Sequence, residues 1–325
     1  MKRFSIILGF SFLFFSKVSA QTETGSTLTA ADSAQILNDM MQLLDSLEEG
    51  ESFFMTSLSA GNRLFSVRNN YLNAQQNTNR TLVINPTLSY VHKSGFNLAI
   101  SGSFLKEPLK SFGPTQWTTT VGYDKDLSKY FKGGVSYSHY FVKDHFSPYV
   151  SPVQNDWYGY LNYRKGWAQP GIALGYSTGY FGDYRYRDTV INGNFRHFYD
   201  SAKNDLKTFN VTLSVAKSFE WEEVFSKKDG IVLYTGLLLN MGSSKTNITH
   251  RTNAPLLLNL LNKRGRLKKQ LTSSFGAESL GMTIDLNYVI GNFSIEPILY
   301  MDYYLKDTDG TKFSQVFTFT VGYVF

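Results

Sequence analysis

The chain has no cysteine among its 325 residues. Disulfides, thiol nucleophiles, thiolate metal ligands and lipid attachment through an N-terminal cysteine are therefore excluded. After the first fifteen residues no apolar run approaches the roughly 20 residues that a spanning helix needs, so helical membrane spans are excluded too. Histidine occurs five times, without metal-ligand spacing. No glycine-rich phosphate loop appears, and neither a metal nor a cofactor is expected. Proline is scarce, with 8 in the chain. Pro86 and Pro297 fall inside segments that otherwise read as strands. Each removes a ladder donor, so each is expected beside a bulge or a weak pairing.

What is present starts with an export signal. Lys2 and Arg3 form a positive start, Ile6 to Phe15 is apolar apart from Gly9 and Ser11, and Val18-Ser19-Ala20 supplies a small-residue cleavage site. Residues 1–20 are read as a signal peptide, with the mature chain starting at Gln21. Removing Lys2, Arg3 and Lys17 takes the formal charge from +6 to +3, so the basic balance is weak evidence for an anionic partner, and no nucleic-acid partner is expected. Residues 21–51 form a lead and an acidic amphipathic helix. Ile36, Leu37, Met40, Leu43, Leu44 and Leu47 recur at helical spacing from Asp32 to Glu49, Asp32 or Ser33 can cap the start, and Gly50 can end it. This helix reads as a periplasmic lid, a lumen plug or a docking element for a periplasmic partner.

From about residue 52 onward the period changes to two. Leu280, Met282, Ile284, Leu286 and Tyr288 alternate with Gly281, Thr283, Asp285 and Asn287. Phe209, Val211, Leu213 and Val215 alternate with Asn210, Thr212, Ser214 and Ala216. The pattern predicts strands over Phe53–Phe65, Thr81–His92, Phe96–Lys106, Gln116–Asp126, Gly133–Lys143, Asp156–Lys165, Gly171–Arg187, Lys207–Glu220, Ile231–Ser243, Ser274–Ile290, Phe293–Leu305 and Lys312–Phe325, about twelve in all. Nearly every strand has one apolar and one small or polar face, as lipid outside and a wet lumen inside demand. Short connections (93–95, 128–132, 166–170, 291–292) follow even-numbered strands. Long ones (66–80, 188–206, 246–273) follow odd-numbered strands, so both termini are expected in the periplasm.

The chain ends FTFTVGYVF, with Phe317, Phe319, Val321, Tyr323 and Phe325 on one face. This ending resembles the C-terminal insertion signal of bacterial outer-membrane β-barrel proteins. The resemblance implies an all-β fold over residues 52–325: a transmembrane antiparallel β-barrel of about 12 strands behind a short N-terminal helix. It implies the outer membrane of a Gram-negative bacterium. The partners it implies are outer-membrane lipid, lipopolysaccharide and the insertion machinery.

Charged strand residues mostly take the inward parity: Asp124, Arg164, Asp183, Arg185, Arg187, Asp285, Glu296 and Asp302. A charge facing lipid at the midplane costs about 2–4 kcal/mol, which accounts for the parity. These residues read as a paired network that stiffens a small barrel, or as a solute-selecting constriction; with both signs present, no strong ion selectivity is expected. Tyr140, Tyr158, Tyr160, Tyr234, Tyr300 and Tyr304 also point inward by parity. Outer-membrane phospholipases and lipid A deacylases carry a His-x-Ser pair near the outer leaflet, and His145-Phe146-Ser147 stands at the matching end, with Asn155 as a possible orienter. Pro148 argues for a loop there. The 246–273 connection mixes leucines with Lys263, Arg264, Arg266, Lys268 and Lys269 and reads as a loop or a short basic amphipathic helix that an anionic leaflet would attract. The leading function is a passive porin-like or small-solute channel. The alternatives are a non-conducting docking barrel and, third, a lipid hydrolase.

Overall fold

In the computed structural model the described residues are 52–62, 82–106, 111–145, 147, 150–191, 194–254, 259, 262–263, 267–305 and 312–325, with backbone only over 183–191 and 194–196. The signal peptide and the helix at Asp32–Glu49 lie outside them. Twelve strands follow in order: β1 Phe53–Gly61, β2 Val83–Val91, β3 Phe96–Lys106, β4 Phe112–Asp126, β5 Phe131–Val142, β6 Asn155–Tyr163, β7 Gln169–Ile191, β8 Asn194–Glu222, β9 Asp229–Thr252, β10 Lys268–Ile290, β11 Phe293–Tyr304 and β12 Phe313–Val324. Each pairs antiparallel with its neighbours, and β1 pairs with β12 from Gly61↔Thr318 to Met55↔Val324, so the sheet closes without an edge.

The alternation read from sequence is the alternation of the barrel wall. On β12, Phe317, Phe319 and Val321 are exposed on the outside while Ser314, Val316, Thr318 and Thr320 are buried within. Aromatic pairs mark both rims. Phe104–Trp117, Trp157–Tyr176 and Phe209–Phe275 stand at the outer end, with ring centroids 6.0, 5.7 and 6.1 Å apart. Phe131–Tyr163 and Phe293–Tyr323 stand at the periplasmic end, at 5.3 and 4.7 Å. Such belts suit the two membrane interfaces. The barrel spans an outer membrane, and in such barrels the short turns lie as a rule on the periplasmic side.

Both prolines sit where the ladder lapses. Pro86 pairs with Leu58 on β1, but β2–β3 pairing skips from Ile84↔Phe104 to Thr87↔Ser101. Pro297 pairs with Phe319 on β12, but β10–β11 pairing skips from Asp285↔Ile298 to Tyr288↔Ile295. The turn after β2 needs its glycine: Gly95 has φ +95°, donates to His92 O at 2.8 Å, and its carbonyl accepts from Asp124 N at 2.9 Å.

One side of the barrel differs from expectation. Strands β7 to β10 have 23, 29, 24 and 23 residues, against 9 to 15 in the other eight. Of the segments expected as long loops, the described residues of 188–206 and much of 246–273 are strand: β7 and β8 pair from Gln169↔Ala216 to Ile191↔Asn194. A crossing needs only about 9–11 residues, so these four strands rise beyond the membrane as a wall. Above the bilayer both faces are wet, so the apolar face that reveals a strand in sequence is lost. Of the leucine-rich part of this connection, Asn259, Asn262 and Lys263 are helical and the leucines at 256–258, 260 and 261 lie outside the described residues.

The wall's two edges are blunted differently. β6 stops at Asn155, and the segment before it takes over the β7 edge. Gln154 N donates to Thr178 O at 3.0 Å, Tyr180 N donates to Gln154 Oε1 at 2.5 Å, and Gly182 N donates to His145 O at 2.8 Å. Val153 packs on the buried pair Phe181 and Leu206. The β10 edge above Ser279 carries Lys268, Lys269 and two register shifts, devices that discourage edge pairing.

Candidate functional site: the barrel lumen

The inward face is polar and closely packed. Asn97, Thr283 and Thr320 keep 1, 1 and 2% of their surface exposed. At the periplasmic end Asp124 accepts from Asn97 Nδ2 at 2.7 Å and from the Tyr160 hydroxyl. Lys132 stands opposite Asp126 in the ladder. Arg164 lies just past β6, half exposed at the rim, with Nη1 2.8 Å from Asp126 Oδ1. Toward the outer end, Ser177 Oγ donates to Asp156 Oδ1 at 2.6 Å. Thr212 Oγ1 donates to Asn240 Oδ1 at 2.9 Å, and Asn240 Nδ2 reaches Ser279 Oγ at 3.1 Å and Tyr300 OH at 3.2 Å. Thr320 and Ser59 join across the closing seam at 3.1 Å.

A carboxyl-rich stretch covers β10 and β11. Asp285, Glu296 and Asp302 are 3, 3 and 4% exposed. Asp285 and Glu296 lie beside the ladder gap at Pro297, and Asp302 pairs with Gly281 further up. Among the described residues the inward cations at membrane depth, Lys132 and Arg164, are both at the periplasmic end against Asp124 and Asp126. Of the other inward acids, Asp285 and Glu296 lie in the periplasmic half of β10 and β11, and Asp156 and Asp302 lie near the outer ends of β6 and β11. Toward the outer end the inward face turns apolar: Val83, Leu105, Val316 and Tyr304 are buried there.

The residues singled out in the sequence fall as follows. Asp124, Asp285, Glu296 and Asp302 are inward and buried, and Arg164 is at the rim. Asp183, Arg185 and Arg187 share the inward register of β7, but their side chains lie outside the described residues. Register points all six candidate tyrosines inward. Phe317, Phe319, Val321 and Phe325 are exposed on the lipid side. His145 stacks on Tyr180 with ring centroids 4.1 Å apart. Its Nδ1 is buried without a hydrogen-bond partner, and burial pushes its pKa below the ordinary value. Asn155 does not orient it: its Oδ1 accepts from the Tyr137 hydroxyl at 2.8 Å and lies 2.9 Å from His139 Nδ1. Sequence reasoning missed Asp156, although its parity with Tyr158 was readable. It also missed Glu278, which sits at a bulge that no periodicity announces.

No family model and no curated protein sequence matches the chain. Solved structures of similar fold include the NanC porin, at 9% identity over 83% of this chain and 98% of that one, with TM-score 0.35. The CymD monoaromatic hydrocarbon channel is 8% identical over 92% of this chain and 94% of its own, with TM-score 0.40. LpxR from Salmonella typhimurium is 9% identical over 83% and 99%, with TM-score 0.30. At such identities the likeness concerns barrel architecture, and what each neighbour does is its own property.

Proposed function

For an outer-membrane barrel built this way, we propose a narrow passive channel for small hydrophilic solutes, with a preference for cations. The observation that carries the reading is the lumen wall: a closed ring of twelve strands whose inward side chains are mostly polar and include the buried acids Asp124, Asp156, Asp285, Glu296 and Asp302. Twelve strands lie between the filled eight-stranded and the water-filled sixteen-stranded barrels. The packed side chains favour a small path over a wide one. Carboxyls lining that path favour cations over anions. Purified protein in planar bilayers should give small unitary currents, and a salt gradient should give a reversal potential of cation-selective sign. Asp285→Asn with Glu296→Gln should move that potential toward zero. A barrel that inserts and never conducts would sink the reading.

A further inference from the structure

Above the outer aromatic belt the outside of the wall is cationic in a way the fold does not require. Exposed rings of the outer belt here are Tyr176, Phe209 and Phe275, with Tyr180 four residues higher on β7. The next outward positions on β8 and β9 are Lys207 and Lys245, and the register sets these two directly opposite each other. Like charges so placed weaken strand pairing. Both side chains are exposed. Among the described residues no carboxylate bridges them. The nearby outward acid, Asp205, is held by Lys203 at 2.9 Å, and that ammonium also lies 4.6 Å from the centre of the Tyr180 ring. Arg251 and Lys268, outward by the same register and exposed, extend the positive surface.

The depth is informative. Lys207 is two residues beyond Phe209, about 5 Å higher along a tilted strand. That is the level of lipid headgroups, directly above a face that acyl chains must cover. A repulsive lysine pair at this level is relieved by an anion that both can reach.

We propose that Lys207 and Lys245 form a phosphate clamp for the phosphorylated glycolipid of the outer leaflet, whose acyl chains lie along the Tyr176, Phe209 and Phe275 face. The claim is independent of whether the lumen conducts. The test is native mass spectrometry of the purified full-length barrel in neutral detergent, titrated with bisphosphorylated lipid A and with the same lipid dephosphorylated. Wild-type protein should prefer the phosphorylated form by at least about tenfold. The double variant Lys207→Gln, Lys245→Gln should lose about thirtyfold, the product of two cations at an anionic surface. Lys217→Gln, an outward lysine at the periplasmic end, should lose nothing. Heat-modifiable migration checks folding, and if the double variant fails it, each single variant should show about a fivefold loss. Equal binding of the two lipids by the wild type overturns the proposal, as does a loss in the clamp variants no greater than in Lys217→Gln.

Discussion

Gly134→Ala probes the tightest point of the periplasmic network. Gly134 stands opposite Asp124 on one side and Tyr160 on the other. It is the gap through which that hydroxyl reaches that carboxylate. A Cβ there would overlap Asp124 Oδ1 and come within 2.6 Å of the Tyr160 ring. Neither neighbour gives way freely, because Asp124 is also held by Asn97 at 2.7 Å and sits on a short side chain. The substitution must therefore break the Tyr160–Asp124 bond. A hydrogen bond to a charged group contributes about 1.5–3 kcal/mol, and replacing a strand glycine returns about 0.5–1 kcal/mol. The expected net loss is about 1–2 kcal/mol. Gly276→Ala, with nothing within 4 Å of its Cβ, should be neutral or slightly stabilising. Urea unfolding in phospholipid vesicles, followed by tryptophan fluorescence, measures both. In an Asp124→Ala background the space is vacant and the Gly134→Ala cost should vanish. The same cost in both backgrounds, or no cost in the wild type, would refute the reasoning.

Deleting Phe325, whose N donates to Phe54 O at 2.8 Å and whose ring meets Tyr323 at 4.8 Å, should lower the heat-modifiable folded fraction in outer membranes; wild-type levels would count against its role. Because the chain lacks cysteine, Asn194→Cys at the tip of the β7–β8 hairpin should react with an impermeant maleimide on whole cells. Ser94→Cys should not, and the reverse would invert the orientation. Deleting Gln21–Glu49 should leave a folded barrel with little change in conductance, as a dockable periplasmic lid requires. A large rise would identify the helix as a plug.

Much of the site was legible because lipid is an unforgiving solvent. The placing of most apolar residues on one parity and nearly every charge on the other is a local demand of the bilayer, so Asp285, Glu296 and Asp302 could be placed inward from sequence. Legibility ended where that demand ended. Residues such as Lys203 and Asp205 lie beyond the level of the acyl chains and are not bound to the apolar parity, and as strand they look like loop. The grouping of Asn97, Asp124 and Tyr160 was also unreadable, since they come from three strands and meet through a register that depends on turn geometry.

By itself, then, the sequence determined the period, a count of about twelve strands and the inward or outward facing of most residues at membrane depth. All of these are consequences of a two-residue repeat between two solvents. Only the tertiary structure decided the closure of β1 on β12, the rise of β7 to β10 beyond the membrane, and the sealing of the β7 edge by the segment at Gln154. It alone set Lys207 against Lys245 and gathered the acids of β10 and β11. Those features depend on which residue of one strand meets which residue of the next, and a repeat of two is satisfied equally by every even shift of register.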